Sequence, residues 1–367
     1  MRIEKIELTH HRLPLDPAFP ASWDPEPRRS FTATIVRVWA EGVCGVGSGD
    51  AMPGFSGHEG LFVGQDPRDM GRHARIIDNL SFHYGRCWPL DLALWDLLGK
   101  LLGQPVWRLL GGRQPVLPLY ASTGVRRGPE ATAEVCTALK GRGFRAIKVR
   151  FQDEDPRRDL ARVQAARDAV GPDVGLMVDA NQGWRMPWDD RPSWTLKDAL
   201  FVADALEEVG AFWLEEPLHR ADVAGLAALR ARTPLRVAGG ELARETHDVD
   251  RYIDARALDV LQPDAVMVGG ISLLRDAARR AQDAGILFTP HTWGNGVGLM
   301  ANAQLMGGVG GCPCLEFPLD PPEWDLPARD FVLARPIVAD GNGCLALSET
   351  PGLGLDLDEA ALARTRI

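Results

Sequence analysis

The chain has 367 residues, 41 Lys and Arg against 50 Asp and Glu, a formal charge of −9 and 45% hydrophobic residues. That length fits one large barrel or two to three ordinary domains, and the balance of apolar and charged residues excludes a disordered chain. The acidic excess, with no basic stripe, argues against a nucleic-acid partner, and no stretch of about 18 apolar residues offers a membrane span.

The opening MRIEKIELTHHRLPL alternates apolar and polar residues and lacks the apolar centre of a signal peptide. The six cysteines are scattered, and Cys312-Pro-Cys314 has neither zinc nor redox spacing, so reduced thiols in the cytoplasm are expected. Residues 2–12 and 31–39 read as strands separated by a Pro-rich, aromatic loop, Leu13–Arg29. The Gly-rich Glu41–Gly49 reads as a turn. Residues 89–110 predict one helix with Leu94, Leu97, Leu98, Leu101 and Leu102 on one face, stopped by Gly111-Gly112.

From residue 116 short apolar runs ending in a polar residue alternate with helical segments. The runs are VLPLYAS (116–122), RAIKVR (145–150), VGLMVDAN (174–181), AFWLEE (211–216), LRVAGGE (235–241), ALDVLQPD (257–264), GILFTPH (285–291) and CPCLEF (312–317). Helices are expected at 130–141, 158–169, 196–209 and 272–284. Eight strands with intervening helices predict an α/β barrel rather than a doubly wound sheet, and no GxGxxG follows the first strand.

Lys148, Arg150, Asp179, Asn181, Glu215, Glu241, Asp264, His291 and Glu316 all fall at or just past the C-terminal end of a predicted strand, the face where barrel enzymes build their sites. Asp179, Glu215 and Glu241 end the third, fourth and fifth strands. Three hard oxygen ligands suit Mg²⁺, whereas zinc would recruit His or Cys. In Glu215-Glu216, strand alternation sends one side chain inward and the other toward the helices, and Glu215 is taken as the ligand.

These motifs resemble the enolase superfamily and, within it, the mandelate racemase subgroup. The resemblance spans nearly the whole chain: ALWDLLGKLLGQPVWRLLGG, IKVR, VDANQGW, WLEEP, GGE, Asp264 and His291, HTWGNGVGLMAN and the closing PGLGLDLDEA. It implies a modified (β/α)7β barrel over 116–334 and an α+β capping domain from 1–115 joined by about 335–367. It also implies an Asp264–His291 dyad in which His291 is the base and Asp264 orients it. Lys148, between Ile147 and Val149, should face the barrel interior and hold its charge beside the substrate carboxylate. Glu316 is implied to hydrogen-bond an enediolate. Asn181 reads as a metal-shell or substrate contact, or as a helix cap.

In related racemases the second residue of a Lys-x-Lys pair is a base, and here Arg150 fills that place. A guanidinium does not deprotonate near neutrality, so a second base is missing and a fixed cation or carboxylate binder takes its place. The leading expectation is therefore dehydration of an aldonic or aldaric acid. Racemisation or epimerisation of a 2-hydroxy acid and non-catalytic sugar-acid binding are the alternatives. GWRMPWDDRPSW, after the third strand, is longer than such a connection needs. Trp184, Arg185 and Trp188, with Leu13–Arg29, are expected to line the distal end of the substrate pocket, the other reading being an oligomer contact. A homo-oligomer acting on a small acid sugar is the expected assembly.

Overall fold

The computed structural model describes every residue except Asp50. Its first part is an antiparallel sheet of β1 (Lys5–Phe19), β2 (Arg28–Ala40) and β3 (Val43–Gly49), followed by α1 (Met70–Tyr84), α2 (Pro89–Leu102) and α3 (Val106–Leu109). Two expectations need correction here. The Gly-rich segment is not a turn: only Glu41 and Gly42, both at positive φ, reverse the chain, and 43–49 forms β3. Its glycines serve close packing, since a Cβ on Gly45 or Gly47 would collide with the carbonyls of Ala93 and Pro89 on α2. Likewise Leu13–Arg29 is not all loop, because β1 runs on to Phe19 and β2 begins at Arg28.

The helix expected over 89–110 is two. Pro89 sits in the first turn of α2, and Gly103 in the left-handed conformation ends it, before Pro105 leads into α3. Leu102 therefore lies past the apolar face and is 48% exposed.

The second part alternates β4 (Val116–Ser122), α4 (Pro129–Gly141), β5 (Ala146–Arg150), α5 (Pro156–Val170), β6 (Gly175–Asp179), α6 (Leu196–Glu208), β7 (Trp213–Glu215) and α7 (Val223–Arg230). It continues with β8 (Arg236–Gly239), α8 (Thr246–Asp254), β9 (Val260–Leu261), α9 (Gly270–Asp283), β10 (Leu287–Phe288), α10 (Gly296–Val309) and β11 (Leu315–Pro318). The parallel strands pair in the order β10-β9-β8-β7-β6-β5-β4-β11, so the first and eighth barrel strands are neighbours. The seam between β10 and β11 is bridged by Thr292, whose hydroxyl donates to the Glu316 carbonyl at 2.7 Å. This is the (β/α)7β barrel with an antiparallel sheet and helices as its cap.

The chain closes with α11 (Leu326–Arg329), β12 (Cys344–Ala346) and α12 (Glu359–Thr365). β12 pairs antiparallel with β4, whereas α12 returns to the first sheet: Glu359 pairs with Arg37 at 2.8 Å, and Thr365 reaches His11 across 354 residues of sequence. A further tie joins the two parts. Asp91 of α2 accepts from the Ser272 amide at 3.1 Å and its hydroxyl at 2.5 Å, capping the first turn of α9 from outside the helix.

Candidate active site

Strand alternation places two side chains per barrel strand on one interior face. The deeper layer is Tyr120, Met177, Trp213, Ala238, Val260 and Cys314, a buried apolar plug. Two residues further along four of these strands come Ser122, Asp179, Glu215 and Glu316, which line the mouth with Lys148 and Arg150 of β5. The pattern ends with β7. Glu216 adopts φ 49°, outside the extended region, so alternation no longer governs it, and the expectation that one glutamate of the pair faces the helices is wrong. Both are buried. Glu216 accepts from the Gly240 amide at 2.7 Å, and a Cβ on Gly183 would displace the Glu216 carboxylate from its place.

Asp179, Glu215 and Glu241 present carboxylate oxygens within 4.8 Å of one another, all buried. Burial raises the pKa of Asp179 and Glu215 above the usual carboxylate range, against the pull of Lys148 and Arg150. Asp179 and Glu215 are held through both oxygens and Glu241 through one. Asp179 pairs with Arg150 and accepts from the Asn181 amide at 2.8 Å. Glu215 Oε2 accepts from Trp213 Nε1 and Gln262 Nε2, both at 3.0 Å. Glu241 Oε1 accepts from Trp184 Nε1 at 2.6 Å, while Oε2 is buried without a hydrogen-bond partner.

Six buried carboxylates (Asp179, Glu215, Glu216, Glu241, Asp264 and Glu316) crowd around Lys148, Arg150 and His291. An all-oxygen donor set, an orphaned acceptor and this excess of negative charge fit a hard divalent cation.

Lys148 is fully buried, 2.6 Å from Glu215 and 2.8 Å from Glu316. Burial and Arg150 oppose its charge, yet Glu215, Glu316 and Asp179 outweigh them and raise its pKa above the ordinary lysine value. Arg150 bonds the Thr123 carbonyl at 3.0 Å and Ser122 at 3.3 Å, besides its pairs with Asp179 and Glu316. Its guanidinium packs against two adjacent indoles, 4.9 Å from the Trp23 ring and 5.0 Å from Trp293, which themselves meet edge to face at 5.2 Å. That arrangement makes it a fixed cation. Glu316 accepts from Ser122 at 2.7 Å and from the Thr292 amide at 2.9 Å, and these with Lys148 occupy both its oxygens. Burial alone would raise its pKa, but Lys148, His291 and Arg150 hold it well below the usual range.

His291 Nδ1 lies 3.0 Å from Asp264 Oδ2, and Nε2 faces Glu241 at 3.5 Å. Burial pulls the imidazole pKa down, but Glu241, Glu316 and Asp264 prevail and lift it to about 9. Asn181 caps no helix: the next one starts at Leu196, and its buried amide oxygen and nitrogen have no hydrogen-bond partner among the described residues.

Outward from these groups opens a cavity of about 770 Å³ whose lining includes Trp23, Arg126, Asn181, Trp184, Arg185 and Trp188. The three predicted loop residues behave differently within it. Trp184 is committed to Glu241, Arg185 braces its own loop through Gln182 and the carbonyls of Arg191 and Pro192, and Trp188 is 54% exposed. Trp23 brings the first sheet's connecting segment to the same wall.

Sequence reasoning missed Trp213, Gln262, Ser122, Thr292 and Asn302. Trp213 and Gln262 sit two residues before Glu215 and Asp264, so the alternation that found the carboxylates also pointed to them. Ser122 closes the run VLPLYAS and carried that same signal, whereas no local signal marked Thr292 or Asn302.

Residues 130–361 match the enolase C-terminal domain-like family. The chain is 32% identical over 328 residues to D-galactarolactone cycloisomerase of Agrobacterium fabrum, covering 84% of this chain and 83% of that one. It is 30% identical over 268 residues to arabinonate dehydratase of Saccharolobus solfataricus, covering 72% and 68%. A solved structure of a racemase from Streptomyces coelicolor A3(2) with bound magnesium superposes over 100% of both chains, with TM-score 0.85 and 26% identity.

Proposed function

Since the chain belongs to the enolase C-terminal domain-like family, we propose that it dehydrates an aldonic or aldaric acid to the 2-keto-3-deoxy product. The observation that carries this reading is the asymmetry of proton acceptors. One candidate is His291, braced by Asp264; the other is Arg150, packed against two adjacent tryptophans and incapable of accepting a proton at neutral pH. Racemisation through two bases lacks the second one.

Asp179, Glu215 and Glu241 would hold Mg²⁺, which when bound supplies the fixed divalent charge that an enediolate dianion requires. The chain's own residues do the rest. Lys148 keeps a buried ammonium at the same face, a preorganised charge worth about 3–4 kcal/mol to a developing oxyanion. With Glu241 occupied by a divalent cation, the largest pull that lifts the His291 pKa to about 9 would be offset, and His291 Nε2 is then free to take the proton alpha to the substrate carboxylate, while Asp264 keeps Nδ1 protonated and steadies the imidazolium. The imidazolium then returns that proton to the 3-hydroxyl as it leaves, which is a syn elimination. Asn181 offers the substrate an amide with both polar atoms uncommitted.

The similarity to a cycloisomerase supports a second reading with the same first half. In an acid-sugar lactone, a ring oxygen beta to the abstracted proton would leave in place of hydroxide. Incubating a panel of aldonic acids, aldaric acids and their lactones with protein and Mg²⁺ in D₂O, followed by NMR, separates these outcomes. Loss of water with a keto product supports dehydration, and a product of unchanged formula from a lactone supports cycloisomerisation. A C2 epimer without keto product would overturn the proposal in favour of racemisation.

A further inference from the structure

Asn302 lies on α10, and nothing in its helix requires it: the residue is wholly buried, where an apolar side chain would ordinarily pack. Its amide is fully engaged. Oδ1 accepts from the Ala265 backbone at 3.0 Å. Nδ2 donates to Asp264 Oδ1 at 2.8 Å, and lies 3.1 Å from the His291 carbonyl and 3.2 Å from the Gly298 carbonyl. A backbone N–H can only donate, so the bond from Ala265 fixes which end of the amide is oxygen and therefore aims the donor at Asp264.

One side chain thus ties together three otherwise separate pieces: the turn after β9 that carries Asp264, the turn after β10 that carries His291, and α10. The Asp264 carboxylate is left with no freedom. Oδ1 accepts from Asn302 and from the Val266 amide at 2.9 Å, which directs Oδ2 alone to His291 Nδ1. Without Asn302 the Val266 amide remains the only donor to Oδ1, and the carboxylate can rotate about its terminal torsion, which is broad and soft.

We propose that Asn302 is a positioning residue for the dyad: it locks the Asp264 carboxylate so that His291 is held in the tautomer with Nδ1 protonated and Nε2 free to accept. This deepens the proposed function and rests on His291 being the base. The chemistry explains why an asparagine is needed. A carboxylate there would repel Asp264, a hydroxyl would be too short, and an apolar group would leave the Ala265 amide and Asp264 Oδ1 short of partners.

The test compares Asn302→Ala and Asn302→Ser in Mg²⁺-supplemented protein. The serine hydroxyl can bond back to the Gly298 carbonyl within α10, so this variant keeps the helix satisfied while leaving Asp264 unserved, and it serves if the alanine variant does not fold. Two readouts are taken. Long-range ¹H–¹⁵N correlation of the imidazoles, recorded above about pH 9 so that the His291 ring is neutral and with its signals assigned by their loss in His291→Asn, should show a single Nδ1-protonated tautomer in the native protein and a tautomer mixture in the Asn302 variants. On whichever acid of the panel the native protein turns over, kcat should fall about 10–100-fold with KM changed less than about 2-fold, the range for loss of an outer-shell partner.

A folded Asn302→Ser protein with the native tautomer and native kcat would overturn the proposal. The failures are separable. Retained turnover in His291→Asn refutes the proposed base, whereas an inactive His291→Asn beside a fully active Asn302→Ser refutes only the positioning role.

Discussion

Trp184 donates its indole N–H to Glu241 Oε1 at 2.6 Å, so the long connection after β6 ends against a carboxylate from a strand two places away in the sheet. The other oxygen of Glu241 has no hydrogen-bond partner among the described residues and lies 3.5 Å from His291 Nε2. Trp184→Phe keeps the ring and removes the donor. The dissociation constant for Mg²⁺, measured by titration calorimetry, should rise about 10-fold or more, as for other outer-shell partners. An unchanged constant would reduce Trp184 to a cavity wall.

Metal removal is the broader test of the same cluster. Chelation should abolish turnover and added Mg²⁺ should restore it. Glu241→Gln should reproduce the chelated state because an amide oxygen carries no net charge against the cation. Full turnover by metal-stripped protein would remove the cation from the mechanism.

The dyad predicts a division between chemistry and binding. His291→Asn should lose several orders of magnitude in kcat while still binding its acid, as read by calorimetry. Asp264→Asn should lose about 10³–10⁴-fold, because an amide can present the wrong partner to Nδ1. A mild effect of either substitution would place the base elsewhere.

The cavity beside the site predicts a change of preference without loss of metal. Deleting part of 186–191 removes Trp188 and the Asp189–Arg191 ion pair from its wall but leaves Trp184 in place. KM values or the ranking of acids in the panel should shift, with Mg²⁺ affinity unaltered. An unchanged profile would assign this loop to an oligomer contact.

Asp91 predicts a pH dependence of stability. Burial lifts its pKa from 3.8 to about 6, against hydrogen bonds from Ser272 and Ile271 and the charge of Arg275. The folded state therefore holds a proton that the unfolded chain has released between about pH 4 and pH 6. Its contribution is most favourable below that window and is lost as pH rises through it, by up to about 3 kcal/mol. Denaturation of native protein and Asp91→Asn at several pH values should show the difference between them changing across this window and level above it. A difference independent of pH would mean that Asp91 stays ionised throughout.

Much of this was legible in the sequence because the barrel repeats one rule. Each parallel strand is buried on both faces, so a Lys, Asp or Glu among Val, Ile and Leu stands out, and its place at the strand end puts it at the mouth. What escaped had other causes. The glycines of β3 read as turn residues because sequence does not distinguish a need for positive φ from a need for close approach. Glu216 defied alternation because the strand stops one residue earlier. Arg150 was legible as a cation but not as one packed against Trp23 and Trp293, which lie 127 residues before it and 143 after it. Contacts such as Asn302 to Asp264 join separate βα units and leave no periodic trace.

The return of α12 to β1 has a consequence for how the molecule is made. His11 meets Thr365 across 354 residues, so during synthesis the first strand leaves the ribosome long before the helix that covers it exists. The βα units between them are built from near neighbours and can assemble in passing, whereas this contact must wait for the whole barrel. The segment carrying Trp23 belongs to the same late-closing sheet. A chain halted after β11 would hold all eight barrel strands and still lack the helix that completes the roof.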